Sequence, residues 1–360
     1  MTELLEWKTP PRTVVAGQTF ETSRTVQRVA AMQSLGCAVE RVPTTPPGWN
    51  YETEPSLLRR IRHRMRLPGD PAAANRAIVR AVERGADVLW LDAADMIRPA
   101  TLREAKRING SLALIWYSED DMMNPRLRTR WVQSSLPLFD LCVTTKSFNA
   151  SPAELPSLGA KRVLFVNNSF DPAVHRAVTI DAEARVRFGS PISFIGTFER
   201  PRAESVLHLA KQGLAVRVWG NGWADWVGGH PNLTIENRPV YNDDFARVVA
   251  ASAINLGFLR KSNRDLQTCR SVEIPGCAGF MAHERNDEIV ALFREGREAV
   301  YWSSDDELAR VCAFWLDREA ERGKIAKDAR DRAFALELTH QANVVRILNA
   351  LLKHRPEARS

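Results

Sequence analysis

Residues 263–284 read NRDLQTCRSVEIPGCAGFMAHE, which sets Arg270 and Glu273 just before a Gly/Cys turn and a short apolar run. Arg270 precedes Glu273 by one i,i+3 helical step, and seven residues separate Asp265 from Glu273, so all three could project near one helix end. A carboxylate there can chelate the two hydroxyls of a ribose, and a guanidinium can fork onto a phosphate. Together they suggest a site for a sugar nucleotide. Pro275 disfavours helical geometry at Ile274, so the helix carrying the pair should end or kink there. The alternative is that Glu273 faces the core, paired with Arg270, which would remove the anchor of such a site.

Other loops could serve the same ligand. The stretch GTFERPR, 196–202, follows a strand-like run and opens a helix, bringing Arg200, Arg202 and helix N–H groups toward a diphosphate. Surface arginines at a helix start explain it equally. Gly220-Asn221-Gly222 also follows a strand, but the third glycine of a dinucleotide fingerprint is replaced by Asp225 and the glycines and proline at 228–231 leave no room for the phosphate-binding helix. A close-approach loop or a plain tight turn remains. Gly17, in the first strand-to-helix loop, has the same two readings. Tyr117-Ser118-Glu119-Asp120-Asp121 ends a strand with three carboxylates. Crowded like charges raise one pKa toward a useful value, making Asp120 or Asp121 a candidate general base. Acids capping and stabilising the next helix are the alternative. His175 either faces a cleft or is a structural hydrogen bonder.

The elements that must position these residues alternate from end to end, which implies parallel sheets covered on both faces. Strand-like runs fall at 13–16, 38–42, 87–91, 112–116, 141–143 and 162–165, and again at 192–196, 215–219, 233–235, 253–256, 279–281 and 299–301. Helical segments are expected over 21–35 and 72–84, the proline-rich 42–51 as a loop, 171–190 as a linker, and a continuously helical tail from Asp305. Two α/β halves around a linker place a ligand at the carboxyl ends of the strands. The expected domains are 1–172 (acceptor side), 173–335 (donor side) and a C-terminal helical piece, 336–360, returning to the first.

At 360 residues the chain exceeds one ordinary core, and its hydrophobic and charged fractions are those of a globular protein. A net charge of +7 favours anionic partners. The densest basic run, RRIRHRMR at 59–66, reads as a solvated helix face or a peripheral membrane contact; no aromatic ladder interleaves with it, so no nucleic-acid partner is expected. The five cysteines form no C-x-x-C pair and the histidines no metal spacing, so neither a metal nor a cofactor is expected. No G-x-S-x-G elbow or Walker loop is present. Without a signal peptide or an apolar run long enough to span a bilayer, the expectation is a soluble, cytoplasmic protein.

The segments Arg270–Phe280, Glu284-Arg285, 293–298 and 306–308, with 117–121, 144–149 and 171–176 in the first half, resemble GT-B glycosyltransferases of the CgeB (spore maturation protein) type, over about 87–346. The resemblance implies two facing Rossmann-like α/β domains with parallel sheets, a donor held mainly by the second, and a final helix crossing back. Glu273 matches the carboxylate that binds the donor ribose. Asp265 stands where related enzymes have the first glutamate of an acid-x7-acid pair, with a shorter side chain. The family's diphosphate-binding lysine has three possible counterparts, Arg200, Arg202 and Lys261.

The expected activity is metal-independent transfer of a sugar from a nucleoside-diphosphate donor to a hydroxyl of a glycan or other acceptor. Glu273, Arg270, Arg200 or Arg202, Gly17, Gly220 and Gly222 would serve binding, and Asp120 or Asp121 catalysis. The alternatives are a sugar-nucleotide epimerase or hydrolase on the same fold, and a non-catalytic nucleotide-sugar or glycan binding module.

Overall fold

The computed structural model describes residues 7–353. Twelve strands form two six-stranded, wholly parallel sheets. The first contains β1 (Arg12–Gly17), β2 (Ala38–Pro43), β3 (Val88–Asp92), β4 (Ala113–Ser118), β5 (Leu141–Thr144) and β6 (Val163–Phe165), in the order β2-β1-β3-β4-β5-β6. The second contains β7 (Ser190–Ile195), β8 (Val216–Trp219), β9 (Leu233–Ile235), β10 (Ser252–Gly257), β11 (Met281–Glu284) and β12 (Val300–Trp302), in the order β12-β11-β10-β7-β8-β9.

Central strands such as VLWLD and ALIWYS are apolar almost throughout, because a parallel sheet clothed in helices buries both faces. Alternate residues feed separate cores: Val14, Ala16, Leu89 and Leu91 enter one, Val15, Val88 and Trp90 the other. In the second sheet Ile192 and Phe194 lie on one face, Ile195 and Trp219 on the opposite one.

The chain divides into two compact units, one made of the residues up to Asn167 with those from His340 onward, the other spanning Asn168–Thr339. Helix His340–Leu352 returns to the first unit, where Val344, Ile347 and Leu348 join Val29 and Met32 of helix Arg24–Ser34 in one core. Residues 354–360 of the expected terminal piece lie outside the described residues. In each sheet the strand order reverses at one point, between β1 and β3 and between β7 and β10, and such reversals open a crevice at the carboxyl ends of the strands.

Three expectations need correction. The stretch 171–190 is integral to the second unit and holds helix Ala182–Phe188. The tail is three helices, Asp305–Leu316, Glu319–Ala335 and His340–Leu352, with breaks at 317–318 and 336–339. At the second break Glu337 takes φ +55° and Leu338 N–H returns to Ala333 O at 3.0 Å, a left-handed helix ending. β11 begins at Met281, because 277–280 form the turn that leaves helix Arg270–Gly276; a Cβ on Gly279 would lie 2.3 Å from Val249 Cγ1.

Candidate functional site

At the reversal point of the second sheet, β7 runs into the loop 196–199 and then helix Arg200–Lys211. Gly196 N–H donates to Trp219 O at 2.8 Å, Phe198 N–H to Asn221 O at 2.9 Å, and Trp223 Nε1 to Gly196 O at 3.0 Å, fastening the loop after β7 to the loop after β8. Gly220 makes this possible: its φ is +155° and a Cβ there would fall 1.9 Å from Gly196 O. Its close approach is therefore to backbone. Gly222 has φ +85°, so the tight-turn reading accounts for both.

Arg200 and Arg202 point different ways. The Arg200 side chain is 82 % exposed and bonds Glu204 at 2.8 Å. Arg202 is buried: one Nη donates to Thr197 O at 3.2 Å, Nε stands 3.7 Å from the Glu199 carboxylate, and that Nε has no hydrogen-bond partner. Burial, opposed by Glu199, holds its pKa below the usual arginine value.

The loop after β10 adds more charge. Arg260 Nε lies 3.4 Å and Ser262 Oγ 3.1 Å from Glu199 Oε1; Lys261 pairs with Glu284 at the end of β11, whose other oxygen accepts from Leu259 N–H at 3.1 Å. Asp265 accepts from Asn263 Nδ2 at 2.8 Å and from Arg260 N–H at 3.3 Å. Arg202, Arg260 and Lys261 thus share one strand-end region with Glu199, Glu284 and Asp265. Sequence reasoning missed Arg260, Glu199 and Glu284, which come together only through the adjacency of β7, β10 and β11.

Helix Arg270–Gly276 keeps Pro275 in its last turn and ends there. Arg270 Nε donates to Ile195 O at 2.9 Å, tying the helix to the end of β7, and its guanidinium lies 4.6 Å above the Phe245 ring. Glu273 is buried and bonded to Arg270, with His175 Nε2 3.6 Å from its second oxygen. His175 Nδ1 accepts from Asp171 N–H at 3.2 Å, so the proton is on Nε2, facing the carboxylate. The Arg270–Glu273 pair is thus formed, so a ribose would have to draw the carboxylate away from Arg270, and His175 is a structural hydrogen bonder. Behind them Ser271 Oγ lies 2.8 Å from His283 Nε2, and His283 Nδ1 donates to Glu284 O at 2.7 Å. Burial lowers the His283 pKa to about 4, so it is neutral.

In the first unit, Arg28 donates to both oxygens of Asp92 at 2.6 and 2.7 Å and to Glu119 at 2.9 Å, and Arg24 meets Glu119 at 2.5 Å. Burial alone would raise the Glu119 pKa; Arg24 and Arg28 outweigh it and hold the pKa at about 2. Glu119 is therefore held ionised by its arginines. The acids after β4 cap no helix, since the next one, Arg130–Ser135, is capped by Thr129. Asp121 is buried and accepts from Met123 N–H and Asn149 Nδ2, each at 3.0 Å, joining the loops after β4 and β5. Asp120 is half-buried, its N–H on Ser118 Oγ at 3.2 Å. Gly17 abuts Thr25 and Asp92, where a Cβ would meet Thr25 Cγ2 at 2.6 Å, so its lack of a side chain serves helix packing.

A cavity of about 270 Å³ lies beside this cluster, lined by Thr44, Trp49, Arg59, Arg62, His63 and Asp95 among others. Burial is the largest influence on Asp95 and raises its pKa, His63 and Arg59 oppose it, and Asp120 adds to it. Asp95, which sequence reasoning missed, thus has its pKa raised on the wall of this cavity. Among the described residues no helix is long and apolar enough to cross a membrane.

Residues 200–359 match a family model described as glycosyl transferase-like. No curated protein matches the chain. Among solved structures the chain is similar to Anabaena HepE in complex with UDP and glucose, at 12 % identity and TM-score 0.62, covering 94 % of this chain and all of that one. It is also similar to sucrose-phosphate synthase from Thermosynechococcus elongatus (11 % identity, 97 % of this chain and 100 % of that one, TM-score 0.63). An alpha,alpha-trehalose-phosphate synthase (UDP-forming) from Burkholderia vietnamiensis gives 10 % identity, 97 % and 99 % coverage, and TM-score 0.63. The fold is that of the GT-B glycosyltransferases.

Proposed function

We propose that this chain is a metal-independent glycosyltransferase, of the CgeB-like type its sequence resembles, moving a sugar from a nucleoside-diphosphate donor to a hydroxyl of a glycan or other acceptor. The observation that carries the reading is Arg202: a buried guanidinium whose Nε has no hydrogen-bond partner, at the reversal point of the second sheet, inside the segment that matches the glycosyltransferase-like family. Nucleotide ligands of this fold class sit at that crevice, and the UDP and UDP-glucose complexes of Anabaena HepE support a uridine donor.

Arg202 is the principal diphosphate ligand in this proposal, with Arg260 and Lys261 beside it. Their carboxylate partners yield to the arriving phosphates, and guanidinium and ammonium charge stabilises the departing diphosphate in place of a metal ion. Arg200 plays no part. Arg270 holds the end of β7 and offers a remaining N–H to the nucleotide. Glu273 accepts the ribose hydroxyls once Arg270 shifts. Gly220 and Gly222 shape the loops around the ligand, and Gly17 the corresponding loop of the first unit.

For proton removal from the acceptor, Asp120 is preferred over Asp121, whose carboxylate is held by Asn149 and Met123. Asp95, with its raised pKa and its place on a cavity wall, joins Asp120 as a base candidate. The protein works in a reducing cytoplasm, a reading supported by its five free thiols.

The test is a thermal-shift panel of nucleoside diphosphates and their sugars, followed by product analysis with and without acceptor. A native-state ligand raises the melting temperature, so one nucleotide series should stand out. Free sugar or an epimer formed without acceptor would replace transfer by hydrolysis or epimerisation. Binding without turnover under any acceptor would leave a binding module.

A further inference from the structure

Helix Leu57–Arg64, with the sequence LLRRIRHR, buries none of its residues. One side turns to the protein: the Arg59 guanidinium lies 4.8 Å over Trp49, Arg62 fills the space beside Gly69, and Leu58, Arg59, Arg62 and His63 line the cavity that holds Asp95. The opposite side carries Leu57, 74 % exposed, Ile61, 48 % exposed, and Met65, 55 % exposed, at i, i+4 and i+8. Arg60 and Arg64 stand beside them at the same helical spacing, both exposed. A surface helix of a globular protein ordinarily turns its apolar stripe inward. Here Arg59, Arg62 and His63 face the protein, and the stripe of Leu57, Ile61 and Met65 faces solvent beside Arg60 and Arg64.

We propose that this outward face docks on an anionic lipid surface, with Leu57, Ile61 and Met65 entering the acyl boundary and Arg60 and Arg64 meeting headgroup phosphates. Charge complementarity selects that occupant. The helix carries four arginines and a histidine and no acid, within a chain of net charge +7. An apolar stripe edged by arginines is the arrangement that holds a short helix in a membrane interface, the long side chains keeping their charge at headgroup level. A second copy fits worse: a two-fold contact would set Arg60 and Arg64 against their own equivalents, like charge on like. Under the glycosyltransferase reading, on which this clause alone rests, docking would put the Asp95 cavity beside the lipid surface and favour a lipid-borne acceptor hydroxyl.

The experiment is co-sedimentation of the full chain with phosphatidylcholine vesicles, with and without phosphatidylglycerol, in the absence of donor or acceptor. Binding should require phosphatidylglycerol and weaken as salt rises. Reversing two arginines with Arg60→Glu and Arg64→Glu should lower partitioning by at least about thirtyfold. Leu57→Ser with Ile61→Ser should also abolish binding, while leaving the circular dichroism spectrum and any nucleotide-induced thermal shift unchanged. Absence of parent binding to the anionic vesicles at low salt, or equal binding by the double variants, would overturn the proposal. So would a dimer in light scattering that Ile61→Ser dissolves, which would make the face a self-association surface.

Discussion

Replacing Glu273 by glutamine separates two roles for this residue, because the variant keeps the shape and removes the charge. The carboxylate is 4 % exposed and faces Arg270 and the protonated Nε2 of His175. Breaking a fully buried pair costs about 3–5 kcal/mol, mostly for the charge left behind. Arg270 is 27 % exposed and keeps the Ile195 carbonyl, so solvent relieves part of that and about 2–3 kcal/mol is expected. At about 2–4 °C per kcal/mol for a unit of this size, melting should fall by about 4–12 °C.

Calorimetric titration with UDP reads the second role. If the carboxylate accepts the ribose hydroxyls, loss of its charge should weaken UDP by about 1.5–3 kcal/mol, or roughly 10- to 150-fold. A fall in melting temperature with unchanged UDP affinity would make Glu273 a strut that orients Arg270 and would refute the ribose role. A variant melting with the parent would refute the buried pair itself.

Arg202→Met should weaken nucleoside-diphosphate binding by about 10- to 150-fold, the worth of a charged hydrogen bond, while Arg200→Ala should change it by less than about twofold; equal effects of the two in titration calorimetry would end the assignment of Arg202. His283 is buried neutral with a pKa lowered from 6.5 to about 4, so the unfolded chain binds the extra proton first and stability should fall by up to about 3 kcal/mol as pH drops from about 6.5 to about 4. Urea denaturation across that window should show the slope in the parent and lose most of it in His283→Gln; the Glu119 contribution, lost only between about 4.5 and about 2, lies mostly below it.

The strands were legible because parallel strands buried on both faces read as unbroken apolar runs, and each run named in the sequence contains or touches an observed strand. What lacked a signal was how the ends are made. β11 starts later than expected because Gly279 belongs to a turn pressed against Val249, a contact with a residue far away in the chain. The helical tail breaks at Glu337, a non-glycine residue in left-handed geometry that no local pattern announces.

At the candidate site the residue types were legible and their directions were not. Arg200 and Arg202 are equivalent on paper, yet two positions along a helix turn the side chain by about 200°, so one lies on solvent and the other under the loop after β7. The same blindness covers Glu273: an i,i+3 step from Arg270 is equally compatible with a carboxylate offered to a ribose and with one locked in an ion pair. The contact that His175 adds to the carboxylate was equally invisible, since it arrives from 98 residues upstream. In the first unit the run of acids was legible and the arginines that meet it were not. Three adjacent acids suggested mutual repulsion, but Arg24 and Arg28 reach Glu119 from a helix in another part of the chain and reverse the sign. Asp95, isolated in sequence from that acidic run and half-buried in the loop after β3, has its pKa raised chiefly by loss of solvent, an effect that no local pattern of charges announces.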